Sequence, residues 1–191
     1  MSTRRHQFAP FSRLLHWTMA AMVLSMLCIG VSMVASLGCY HTLVSIHRPL
    51  GIAVFALVVV RFINRLLNPP PPFPPTMSQS ERLAATASEW TMYGLMFALP
   101  LVGWGMLSAA RYPIVLFGSL RLPFILPHDV MLYAALRRAH TILAYAFFFT
   151  FVAHFGAVLF HTFVLRDGLL KRMGPWSAGP PDDASLNETV S

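Results

Sequence analysis

The histidines are the residues whose type and spacing carry chemistry. There are eight in 191 residues, and five of them (His16, His47, His140, His154 and His161) fall in long stretches free of Asp, Glu, Lys and Arg. An ionisable side chain in apolar sequence is expensive, so each needs a partner or a ligand. His140 and His154 are fourteen residues apart. On one α-helix that is a rise of about 21 Å and an angular offset of only about 40°. Both therefore face one side of a helix, near its opposite ends. Neutral imidazole is a common axial ligand of haem iron. A pair of histidines at each level serves two bis-histidine haems. Zinc wants three or four ligands, which two per level do not supply.

The elements that position these residues follow from composition. Apolar residues make up 56% of the chain and charged residues 11%, with mean hydropathy +0.61. A soluble domain carries about 25% charged residues, so this chain is read as an integral membrane protein. The same numbers exclude a disordered chain, and two cysteines exclude a disulfide scaffold. Cys28 and Cys39 are read as inert packing or boundary residues. A crossing helix needs roughly 20 apolar residues. Four such spans are expected, at about 13–36, 44–67, 88–110 and 137–165, giving an all-α, four-helix transmembrane bundle. Pro49 is placed in the first turn of the second span, and Pro100 kinks the third. The apolar stretch 112–136 is broken by Pro113, Arg121, Pro123, Pro127 and Asp129. It is read as a loop with an interfacial amphipathic segment packed over the bundle. The segment 174–191 is polar and read as a disordered tail.

Alternation of the spans sets the pairing. The second span starts on the side where His140 lies and carries His47 at its start. The first span starts on the opposite side and carries His16, level with His154. His161 leaves an alternative open. It lies five residues from Arg166, as His16 lies three from Arg13, so depth alone pairs His16 with His161. Gly30, Gly51 and Gly156 are small residues near the two levels, where a porphyrin plane or ordinary helix packing is served equally. His6, His41 and His128 are read as surface residues.

Basic residues orient the bundle. Arg4, Arg5, Arg13, Arg61, Arg65, Arg82, Arg166, Lys171 and Arg172 lie on one side; Arg48, Arg111, Arg121, Arg137 and Arg138 lie on the other. The richer side is expected in the cytoplasm, with both termini. The formal net charge of +7 is thus a topology signal, and no nucleic-acid partner is inferred.

At this point the chain resembles the prokaryotic cytochrome b561 family over roughly residues 11–173. The matching pieces are Leu15-His16-Trp17, Ile46-His47, Ala98-Leu99-Pro100 in the span without ligands, and His140-Thr141-Ile142-Leu143-Ala144 followed by His154. The resemblance implies a dihaem protein of the bacterial inner membrane. His16 and His154 then ligate an inner haem b, and His47 and His140 an outer one. The resemblance favours His154 over His161. It further implies exchange of electrons with ubiquinone and, for one type of member, oxidation of superoxide on the outer face.

The outer face sets five arginines against Asp129 alone. Three readings of Arg48, Arg137 and Arg138 stay open: haem-propionate contacts, steering of a small anion inward, or lipid-surface anchors. His161, with Arg65 or Arg166, is a candidate quinone or proton contact. The leading functional reading is an oxidoreductase passing electrons from a small periplasmic donor, superoxide, to ubiquinone. The alternative is an electron-relay membrane subunit that docks a periplasmic redox protein.

Overall fold

A computed structural model describes residues 7–36, 38–75, 77–116 and 118–174. Arg4, Arg5, His6 and the tail from 175 onward lie outside the described residues. Four long helices dominate: α1 Pro10–Ala35, α2 Tyr40–Leu67, α3 Gln79–Ala109 and α4 Val130–Phe160. A π-helical turn, His161–Leu165, and a short α5, Leu169–Met173, follow. All four long helices are long and apolar enough to cross a membrane, α4 together with its π turn. Their outward residues, such as Leu24, Val31, Phe149, Val152 and Phe155, are large, apolar and exposed. A bilayer solvates such surfaces, and helices satisfy every backbone group within the span.

Each helix begins before the apolar run of its sequence, and the caps show why. Pro10 opens α1 at the first helical position, where its missing N–H costs nothing. Ser78 and Glu81 form a reciprocal capping box. It starts α3 nine residues ahead of the expected span. Asp129 accepts from the backbone N–H of Met131 and Leu132 and starts α4 seven residues early. Because α2 begins at Tyr40, Pro49 lies within the helix, not in its first turn. It removes one hydrogen bond, to the Ser45 carbonyl, without ending the helix.

Residues 112–129 contain no helix among the described residues. They form a hairpin of β1 Val115–Leu116 and β2 Leu120–Arg121, paired antiparallel, with Gly118 at φ 77° in the turn. The loop is tied to the end of α3 by Trp104 Nε1 donating to the Pro123 carbonyl and by the Ile125 N–H donating to Ser108 Oγ.

Packing is sequential: α1 lies on α2, α2 on α3, and α3 on α4. Contact of α4 with α1 or α2 is sparse at most. The buried core joins Met19 and Val23 of α1, Val54 and Val58 of α2, Tyr93, Leu95 and Met96 of α3, and Phe147 of α4. Phe147 is the only buried residue of α4, so most of that helix is uncovered by protein.

At one end, α5 closes the bundle. Trp17 Nε1 donates to the Met173 carbonyl at 2.8 Å, Arg13 to the Gly174 carbonyl at 3.0 Å, and Arg172 to the Pro72 carbonyl at 2.6 Å. Burial holds the Arg172 guanidinium below its ordinary pKa. The Phe8 N–H also meets the Arg172 carbonyl. Trp17→Phe removes one of these bonds, worth about 1 kcal/mol net. Hydrogen exchange at the amides of 169–173 is then expected to be about fivefold faster, with the helical amides of 90–105 unchanged.

Candidate functional site

The structure brings the rings of His47 of α2 and His140 of α4 together in an edge-on arrangement. Their ring centroids are 6.3 Å apart and their planes cross at 74°. Both Nδ1 atoms are buried and make no hydrogen bond. Two buried imidazoles this close are poorly satisfied by each other alone. They suit an ion between them. Two imidazoles sharing one metal ion through bonds of about 2 Å, each backed by about 1 Å from nitrogen to ring centre, would have centroids about 6 Å apart, so His47 and His140 could hold such a group.

The His140 ring is set against α3 by a residue the sequence gave no reason to single out. A Cβ on Gly103 would lie 3.3 Å from His140 Cε1 and 3.5 Å from its Nδ1. That is tighter than ordinary van der Waals contact, so a side chain there would press on the ring. The glycines noted for their level behave differently. Gly30 and Gly156 face open space, and Gly51 would meet only the tip of Met26. Open space beside α1 and α4, where no protein side chain packs, fits a planar group better than it fits a tight helix crossing.

His16 and His154 line one cavity of about 200 Å³ at the other end of the bundle. His161 does not enter it. Depth counted from the nearest arginine had paired His16 with His161, and Arg13 explains the mismatch. Arg13 lies inside α1 and sends its guanidinium down to Gln7 and Gly174. Such snorkelling makes it a poor marker of the membrane surface. Ser88 Oγ stands 3.5 Å from His154 Nδ1. Arg61 donates to His16 Nδ1 at 3.1 Å. Arg65 forms a bidentate pair with Glu89 at 2.7 and 3.2 Å, also on this cavity. Arg65 is therefore not a neighbour of His161, as its depth had suggested. Arg61, Ser88, Glu89 and Tyr93 carried no signal in the sequence beyond their charge or type.

His161 lies in a second cavity, of about 410 Å³, lined by Met77, Glu81, Leu165 and Asp167. Its Nδ1 meets Asp167 Oδ2 at 2.5 Å, and both side chains are partly buried. The π turn and the left-handed Arg166 (φ 53°) fold the chain back to make this pair. A left-handed non-glycine residue is uncommon, and π turns recur at functional sites.

Near the His47–His140 pair, Arg48 packs over the Tyr112 ring at 5.9 Å, and its Nε is buried without a hydrogen-bond partner among the described residues. Arg137 and Arg138 are exposed; Arg137 reaches only Tyr133 Oη, at 3.5 Å. Asp129 is engaged as the cap of α4. His41 and His128 are exposed, and the His128 Nδ1 meets the Ala109 carbonyl. Among the described residues no cluster of three or more His, Cys, Asp or Glu is placed to hold a metal ion.

Comparison with known proteins agrees with this arrangement. Residues 7–176 match the family model for prokaryotic cytochrome b561. The chain is 33% identical over 171 residues to cytochrome b561 homolog 2 of Escherichia coli (strain K12), covering 87% of this chain and 90% of that protein. It is 33% identical over 138 residues to the probable superoxide oxidase CybB of Yersinia pestis, covering 70% and 76%. Cytochrome b561 homolog 1 of Escherichia coli (strain K12) is 29% identical over 129 residues, covering 68% and 73%. A four-helix membrane bundle with paired intramembrane histidines, matched by such a model over nearly its whole described length, belongs to the prokaryotic cytochrome b561 family and is a membrane cytochrome b with an electron-transfer role.

Proposed function

We propose that the protein is a dihaem superoxide:ubiquinone oxidoreductase of the bacterial inner membrane. One observation carries the reading: α4 presents a histidine at each end, and each shares its surroundings with a histidine from a different helix. His47 and His140 hold the outer haem b; His16 and His154 hold the inner one. Residues 11–173 form this single dihaem unit. When bound, the haems supply one-electron chemistry through iron.

The residues do the rest. His47 and His140 fix one group at the level of Gly103, and Ser88 orients the His154 ring. The arginines Arg48, Arg111, Arg121, Arg137 and Arg138 draw a small anion to the outer face. Arg48, with its buried unpartnered Nε, is also placed to hold a propionate of the outer haem. Superoxide loses one electron there and leaves as dioxygen. Two such electrons, with two protons from the inner side, convert ubiquinone to ubiquinol. His161, held by Asp167 at its own cavity, is the proton-holding contact for the quinone. The excess of nine basic residues in one set of span flanks over five in the other supports a cytoplasmic location for both termini.

Purified protein is expected to return two b-type haems per chain by pyridine haemochrome assay. His154→Ala should reduce that to one, and His161→Ala should leave two. The opposite result from these two variants reverses the ligand assignment. Gly103→Val should remove the same haem as His140→Ala, whereas Gly103→Ala should keep both with a shifted spectrum. An unchanged spectrum in Gly103→Val would count against His140 as a ligand in this ring position.

Superoxide should reduce the haems of the isolated protein, at a rate that falls as salt rises. Steering by a one-sign cleft raises on-rates by roughly 10-fold to 1000-fold and is screened by salt. Arg111, Arg121, Arg137 and Arg138 replaced together by Gln should slow reduction within that range at full haem content. A wild-type rate without salt dependence in that variant sinks the steering role. If superoxide does not reduce the wild-type protein at all, the relay subunit docking a periplasmic redox protein is the better reading.

A further inference from the structure

The inner cavity holds two hydrogen-bond donors that meet no anionic acceptor among the described residues. Tyr93 is only 4% exposed, lines the cavity, and its Oη has no hydrogen-bond partner among the described residues. Buried hydroxyls are nearly always bonded, so an orphan facing a cavity marks a missing acceptor. Arg61 lies beside it, with its guanidinium carbon 5.9 Å from the centre of the Tyr93 ring. Its contacts are neutral: the Ser12 carbonyl at 3.4 Å and His16 Nδ1 at 3.1 Å. Among the described residues no carboxylate lies within salt-bridge distance of Arg61, because Glu89 is taken by Arg65. A half-buried guanidinium without an anion is an unfinished ion pair.

The contact to His16 is itself provisional, for a chemical reason. A guanidinium only donates, so on His16 Nδ1 it needs the lone pair there and leaves the proton on Nε2. An imidazole that binds a metal through Nε2 carries its proton on Nδ1 and donates it outward. Arg61 must therefore leave Nδ1 when Nε2 takes iron. It remains next to the Tyr93 hydroxyl, in a cavity that also contains His154.

We propose that Arg61 and Tyr93 form a two-donor clamp for one carboxylate, the propionate of the inner haem. The inference rests on the reading that His16 and His154 ligate that haem. Arg61 supplies a charge-assisted hydrogen bond and Tyr93 a neutral one. The clamp neutralises a propionate charge beside the iron and so favours the reduced state of the inner haem over the oxidised one.

Redox titration of the full-length haem-loaded protein tests this, with the inner haem identified as the component missing from His154→Ala. Tyr93→Phe and Arg61→Gln should each move the inner midpoint potential to more negative values. The outer potential and the ratio of two haems per chain should not change. Arg61→Lys, which keeps the charge but not the planar fork, should fall between Arg61→Gln and wild type. If both removals leave the inner potential at its wild-type value, the proposal is overturned. If they then slow only the oxidation of reduced protein by ubiquinone, the acceptor oxygen is the quinone's. Should Arg61→Gln lose the inner haem, Tyr93→Phe decides: a wild-type potential there overturns the clamp. Failure of the ligand reading looks different, because His16→Ala would then retain two haems.

Discussion

An imidazole inside a bilayer has to be satisfied where it stands, and α4 carries two of them on one face. That constraint shapes the bundle. Helix α4 packs on α3 and only sparsely on α1 and α2, yet its histidines look toward both. Lipid offers little drive for helices to associate beyond packing and polar contacts. A helix with one buried residue in its whole length therefore depends on what lies between it and its neighbours. Groups bridging His140 to His47 and His154 to His16 would supply that connection twice, at opposite ends. They would also couple cofactor binding to assembly of the bundle.

The two ends answer the constraint with different chemistry. Around His47 and His140 the polar atoms are left open: both Nδ1 atoms and the Arg48 Nε lack partners, and Gly103 keeps α3 out of the ring's way. Around His16 and His154 a polar network is already assembled. Asn64 donates to Ser12 Oγ at 2.8 Å, Arg65 holds Glu89, and Arg61 bridges Ser12 and His16. Phe8, Phe73 and Met173 line the same cavity, and the α5 contacts to Trp17, Arg13 and Pro72 hold that floor in place.

Much of this was legible in the residues. The four spans, the break near Cys39 and the facing of His140 and His154 follow from apolar run length and the 3.6-residue period alone. Helix starts were not legible from hydropathy, because capping sets them: Ser78 with Glu81, and Asp129, begin helices in polar sequence. The hairpin at 115–121 was missed because a short apolar run between prolines has no decisive period. Arg61 was counted only as a topology charge. That it stands against His16 depends on the relative rotation of α1 and α2, which no local pattern encodes. Arg65 and His161 were assigned to one neighbourhood by depth, whereas azimuth separates them: one faces the His16 cavity and the other the Asp167 cavity.

The placement of charge bears on the direction of electron flow. On the proposed orientation, an electron passed from the His47–His140 pair to the His16–His154 pair would travel against a membrane potential that is negative inside. Such a potential opposes the transfer by about 2.3 kcal/mol per 100 mV for a full crossing. A cation at the destination offsets part of that cost if it is poorly screened, and Arg61 qualifies because it is half-buried, next to His16, and not cancelled by a carboxylate. The exposed outer arginines act in water, where salt screens them within about 10 Å at 0.1 M ionic strength. They bear on encounter with a donor far more than on the potential of a buried group. On the proposed function the same residue type would have two jobs at the two ends: capture at the wet outer face, and stabilisation of added negative charge at the dry inner one.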